Sequence, residues 1–291
     1  PHLGAGKLLT SNRKSLTSTV FSLLSYPFFQ LALAGVAIIS VAAAIIGTYI
    51  IARRMAALAG GVTHACFGGL GLGYFLGISP VAMAAVFAIG SSLAVEWLEK
   101  RLHVRSDSAI AVIWALGMAV GVLFVFMSPG YVPELNAFLF GNILTINASD
   151  IAIFAAYTLV LGAFFVWRYR EIVACAFDRD FARVSGIPVR FISVTMTVMV
   201  ALCIVLTIRL VGIMLLMSML SLPMMIAEIW SHNFGRLMAV SAAVSLVSCT
   251  TGLFVAAMVD IPASAIIVLI LAGVYIVARA IHALRPSARA L

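Results

Sequence analysis

Residues 191–230 read FISVTMTVMVALCIVLTIRLVGIMLLMSMLSLPMMIAEIW, and before Glu228 near its end only Arg209 and Gly212 interrupt this apolar run. A hydrocarbon core about 30 Å thick is crossed by about 20 apolar residues in a helix. The stretch is therefore long enough for two crossings, or for one with a long overhang. Seven further apolar blocks of the same kind surround it. Blocks lie at 28–52, 57–77, 80–98, 109–128, 148–168, 237–258 and 263–284, and the stretch itself divides into 191–208 and 210–230. The chain reads as a polytopic all-α transmembrane bundle of eight or nine spans. Each span must be helical, because lipid offers the backbone no hydrogen-bond partner.

Composition agrees. Of 291 residues 64% are apolar and 10% charged, against about 25% charged in a soluble domain. This balance excludes a soluble globular enzyme, a disordered tail and a nucleic-acid binder, despite the net charge of +8. A transmembrane β-barrel would show weak alternation rather than long apolar blocks. Cys66, Cys175, Cys203 and Cys249 are scattered without a CxxC pair and read as small buried residues, not a disulfide framework.

Residues 1–27 form a separate tail with Lys7, Arg13 and Lys14. It fits an amphipathic surface segment, and its Pro1 start fits processing, trimming or a cloning scar. No signal peptide is indicated. Residues 28–291 form one transmembrane domain.

Basic residues orient the spans. Taking nine, one side carries Arg53, Arg54, Lys100, Arg101, Arg105, Arg168, Arg170, Arg179, Arg183, Arg190, Arg236, Arg279, Arg285 and Arg289. The other carries Arg209 and the tail. The first side is expected to be cytoplasmic, with the N-terminus outside and the C-terminus inside. The inner segment 169–190 holds charges of both signs around a short amphipathic helix, closed by Gly186-Ile187-Pro188. It suits docking of a soluble partner; its plainer reading is a solvated loop. No phosphate-binding GxxxxGK[ST] loop exists, since Gly4-Ala5-Gly6-Lys7 lacks the upstream glycine and the following hydroxyl. ATP could drive this chain only through another polypeptide.

Several stretches match one family in register. Arg53-Arg54-Met55, Thr63-His64-Ala65 and Gly68-Gly69-Leu70-Gly71-Leu72-Gly73 resemble the second-helix signature of permease subunits of bacterial zinc, manganese and iron ABC importers. Ser106-Asp107-Ser108-Ala109-Ile110, Phe140-Gly141-Asn142-Ile143-Leu144, Phe177-Asp178-Arg179-Asp180-Phe181-Ala182 with Gly186-Ile187-Pro188, and Val211-Gly212-Ile213 through Ser221-Leu222-Pro223 follow in the family's order. The sequence departs where the family has aspartate, which is Gly60 here. Thr63 replaces serine, and Phe67-Gly68-Gly69 replaces Leu-Pro-Gly. The resemblance thus leaves the metal open.

It implies a multi-pass permease in the bacterial inner membrane, no enzyme itself and holding no resident cofactor. Two copies would work with an ABC ATPase and an extracytoplasmic metal-binding protein, moving zinc ahead of manganese or iron by alternating access. His64 lies nine residues beyond Met55, about 13 Å into the bilayer, and is the first expected metal ligand; a hydrogen-bonded core histidine is the alternative. Glu228 and His232, four apart, would share a helix face and bind the same cation; solvated ends, with Glu228 paired to Arg236, are the alternative. Asp178 and Asp180 are expected to dock the ATPase, with Gly186 turning the chain back. Glu134 is expected to contact the binding protein. Arg209 and Asp260, near the outer face, are expected to anchor headgroups or touch that protein. Gly69-x-x-x-Gly73 and Gly117-x-x-x-Gly121 read as helix-packing devices.

Two other classes compete. A stand-alone cation or proton transporter would need a chain of intramembrane carboxylates. An intramembrane metalloprotease would need His-Glu-x-x-His, which is absent.

Overall fold

The computed structural model describes residues 23–128, 141, 146–259 and 261–284, and these are helical with short links. Helices α1 (Pro27–Ala52), α2 (Ala56–Leu76), α3 (Pro80–Leu102), α4 (Ser106–Met127) and α5 (Ala148–Trp167) come first. Two short helices follow, α6 (Tyr169–Phe177) and α7 (Arg179–Val184), then α8 (Val189–Glu228), α9 (Phe234–Val259) and α10 (Ala263–Leu284). Eight of these are long and apolar enough to cross a membrane. Their ends lie within a few residues of the apolar blocks, because prolines open them and left-handed residues close them. Pro27 and Pro80 sit in first turns, and Gly77 ends α2 at φ 67°.

Helix α8 resolves the 191–230 stretch. Its forty residues would span about 60 Å if straight. Near its start, Ser193 receives Arg179 at 3.4 Å, and Thr197 donates to Glu96 on α3 at 3.1 Å. Just beyond its end, the Phe234 ring lies 6.0 Å from Phe165 and 6.2 Å from Tyr169, at the end of α5 and the start of α6. Both ends of α8 therefore share one face. Its middle reaches the opposite face, where Arg209 pairs with Asp150 in the first turn of α5 at 2.9 Å. The chain turns back at Gly212, whose φ 79° and ψ 172° belong to a region that glycine alone occupies without strain. With α8 counted as two arms, an ascending one at 189–211 and a returning one at 213–228, eight of the described helices make nine passes.

The remaining contacts agree with that count. Phe29, near the start of α1, meets Phe254, near the end of α9, at 5.0 Å, whereas Trp230 meets His282 near the end of α10 at 6.4 Å. The two ends of the described bundle thus lie on opposite faces.

Helix α2 and the arms of α8 form the centre. A Cβ at Gly69 would strike the backbone of Met83 and Ala84, one at Gly117 the backbone of Ala65, and one at Gly121 the Phe67 ring and backbone. These glycines let α3 and α4 close against α2, which confirms their packing role. All four cysteines are free and buried, as the sequence suggests.

Candidate translocation and coupling sites

His64 projects from the middle of α2 and is half-buried. Its ring stacks on Trp114 of α4, with centroids 4.4 Å apart and planes 5° from parallel. The stack fixes the plane of the imidazole. One turn earlier stands Gly60. A Cβ there would lie 2.9 Å from the Met217 Cε, 3.8 Å from its Sδ and 3.9 Å from Trp114. A thioether from the returning arm of α8 thus fills the space beside the missing side chain.

Glu228 and His232 do not share a helix face. Helix α8 ends at Glu228, and His232 lies in the link before α9, whose first turn is capped by Asn233 Oδ1 accepting from Gly235 N at 3.1 Å and Arg236 N at 3.3 Å. Four-residue spacing loses its meaning where the helix stops. Both side chains are exposed on the same face of the bundle as α6 and α7. Among the described residues no three His, Cys, Asp or Glu side chains are grouped as a metal requires. One copy of the chain therefore does not gather His64, Glu228 and His232 into a single cage.

An apolar groove of about 390 Å³ runs between α3 and α4, with Phe87, Gly90, Ser91, Ile113 and Leu116 among its walls. It offers no charge to a cation.

Segment 169–190 holds two helices where the sequence suggested one. The break is Asp178, with extended backbone at φ −145° and ψ 102°. Its Oδ1 accepts from Asp180 N at 3.0 Å and Phe181 N at 2.9 Å, capping α7. Asp180 is open and pairs with Arg183 at 3.3 Å. Gly186, at φ 77°, makes the left-handed turn that, with Pro188, leads the chain into α8. Between the charges stand three apolar side chains that composition hides: Phe177, Phe181 and Val184 are 62%, 64% and 89% exposed. They form a ridge on the outside of α6 and α7. The Phe177 ring also lies 6.2 Å from that of Phe234, which ties the ridge to the bundle. Cys175 of α6 faces inward; burial, with Glu171 adding, holds its thiol above the usual range.

A charged cluster that the sequence reading passed over lies behind α7. Glu96 of α3 is 6% exposed. Lys100 Nζ donates to its Oε1 at 2.6 Å, Thr197 Oγ1 to its Oε2 at 3.1 Å, and Ser193 Oγ also donates to Oε1. Arg179, the first residue of α7, stands 4.0 Å from Glu96 and 3.9 Å from Glu99. The available signal was a lone carboxylate inside an apolar block, one turn before a lysine.

On the opposite face, Arg209 is engaged by Asp150. Glu134, Asp260, Arg285, Arg289, Asn142 with its neighbours to 145, and residues 1–22 of the tail lie outside the described residues.

Residues 25–282 match the model of the ABC 3 transport family. An uncharacterized membrane protein of Synechocystis is 32% identical over 257 residues, covering 88% of this chain and 92% of its own length. The manganese transport system membrane protein MntC of Halalkalibacterium halodurans is 26% identical, covering 91% and 90%. Among solved structures, PsaBC from Streptococcus pneumoniae in complex with Fab superposes with a TM-score of 0.79 at 23% identity, covering 90% of this chain and 94% of that one. That likeness establishes the fold.

Proposed function

Because the chain belongs to the ABC 3 transport family, a family of membrane subunits whose ATP is hydrolysed by a separate partner, we propose that it carries divalent transition-metal ions inward as one of two identical halves of an ATP-driven importer. The observation that carries this reading is the pairing of that family match with an exposed apolar ridge, Phe177, Phe181 and Val184, on a chain without a phosphate-binding loop. The face bearing the ridge also bears Arg53, Arg54, Lys100, Arg101, Arg105, Arg168, Arg170, Arg179, Arg183, Arg190, Arg236 and Arg279. It is the cytoplasmic face of the inner membrane by the rule for basic residues. The N-terminal side of α1 then lies outside, where a binding protein delivers the ion; a contact between that protein and Glu134 is proposed from the sequence alone.

Docking rests on the ridge rather than on both aspartates. Asp178 spends its Oδ1 on capping α7, which holds Phe181 in place, while Asp180 offers its charge to a basic partner. His64 is the first protein ligand that the ion meets in the middle of the bundle. Glu228 and His232 receive it at the cytoplasmic face, in sequence rather than in one cage. Sequential weak sites suit transport, because an ion held too tightly does not leave.

The relative from Halalkalibacterium is named for manganese. Here Gly60 offers no carboxylate beside His64, and imidazole with a neighbouring thioether suits zinc or ferrous iron better than manganese. Zinc is the first candidate cargo. A stand-alone transporter would need free carboxylates along the path, whereas Glu96 is tied to Lys100, Ser193 and Thr197.

The test is zinc uptake into vesicles holding the chain with its ATPase. His64→Ala is expected to reduce ATP-driven uptake at least about tenfold while leaving ATP hydrolysis and assembly in place. Unchanged uptake would remove His64 from the path.

A further inference from the structure

An apolar span tolerates a carboxylate only where partners surround it, and hydrophobic groups of equal volume would hold the same helices at least as firmly. Glu96 therefore calls for a role that packing alone does not supply. Its two oxygens grip α8 at Ser193 and Thr197, one turn apart on the ascending arm. The same carboxylate faces Arg179, the residue that follows the cap of α7. Three elements thus meet on one group: the coupling segment, α3 and the start of α8.

Arg179 is poised between two carboxylates. It stands 4.0 Å from Glu96 and 3.9 Å from Glu99, long for a charge-assisted bond to either, and it also donates to Ser193 at 3.4 Å. Glu99 Oε2 is buried with no hydrogen-bond partner among the described residues. A small displacement of α7 toward either carboxylate would tighten one ion pair and loosen the other. Discrete partner exchange of this kind gives a packed bundle two arrangements rather than a continuum.

We propose that Arg179 is a toggle between Glu96 and Glu99, and that Glu96 is the positioning residue through which movement of α7 reaches α3 and the ascending arm of α8. The inference rests on the ATP-driven reading above. When the ATPase pulls on the ridge, α7 carries Arg179 with it. The charge moves from one carboxylate to the other, and Ser193 and Thr197 follow Glu96. The pull then tilts two membrane helices instead of being lost in a flexible link.

The experiment measures zinc ions moved per ATP hydrolysed by the chain with its ATPase in vesicles. Glu96→Gln is expected to lower that ratio about tenfold, with hydrolysis within about twofold and full assembly with the ATPase. Glu96→Asp should recover part of the ratio, and Glu96→Gln with Arg179→Gln should be no worse than Glu96→Gln alone. The Ser193→Ala, Thr197→Ala pair keeps every charge and guards against misfolding of the first variant; it should lower the ratio about threefold. Uptake by the unaltered complex that ignores ATP would overturn the underlying transport reading. Uptake that needs ATP, with an unaltered ratio in Glu96→Gln and in the hydroxyl pair, would overturn the toggle alone.

Discussion

The two arms of α8 share one apolar sequence and are held in opposite ways. The ascending arm, 189–211, is pinned by polar contacts along its length. Glu96 grips its first turns, Tyr157 donates to the Met199 carbonyl at 2.7 Å, and Arg209 meets Asp150 at its top. The returning arm, 213–228, rests on close packing and soft side chains. Its Leu220 carbonyl sits where a Cβ on Gly47 of α1 would come within 2.6 Å, its Met224 Sδ accepts from Thr48 at 3.4 Å, and its Met217 covers Gly60. Pro223 lies inside it and removes a backbone hydrogen bond. Polar pins fix a register, while thioethers and small-residue contacts allow sliding. The ascending arm is thus built to move as one stiff post with Glu96, and the returning arm, which passes His64, to slide against its neighbours.

The hinge between them should be the most sensitive point. Gly212→Val forces a β-branched residue into a glycine-only conformation, at a cost on the order of 3 kcal/mol. It should collapse the yield of monodisperse protein in detergent; a normal yield and melting temperature would mean that α8 does not fold back there. Next comes Gly47→Leu, which drives a side chain into the Leu220 carbonyl. Overpacking of this kind costs about 1–3 kcal/mol and should lower the melting temperature by several degrees, unless the returning arm is as loosely seated as the hinge is tight. The smallest effect belongs to the top of the post. Arg209 is 47% exposed on its side chain, so Arg209→Ala should cost less than about 1 kcal/mol and leave uptake near its original rate. A severe loss there would mean that the arm depends on one pin.

Sequence made the spans legible because apolar length is a direct consequence of bilayer thickness, and basic residues marked one face. It left the fold-back undecided, because a helix buried all round shows no periodicity to betray a reversal. It misjudged Glu228 and His232 by carrying helical spacing past the last helical residue. It named Asp178 for docking and did not show that the same exposed carboxylate also caps α7, since both roles are written with one letter. The apolar ridge and Glu96 needed coordinates: Phe177, Phe181 and Val184 look like core until burial is known, and a lone carboxylate near a span end looks like an interfacial charge.

ATP-driven import is tested by comparing zinc uptake by vesicles holding this chain alone, with its ATPase, and with its ATPase after Phe181→Ala, each with and without ATP. Uptake should require both the ATPase and ATP, and loss of the exposed ring should weaken ATPase binding about tenfold and slow uptake accordingly. Full-speed uptake by the chain alone, without nucleotide, would mean that the chain is not half of an ATP-driven importer.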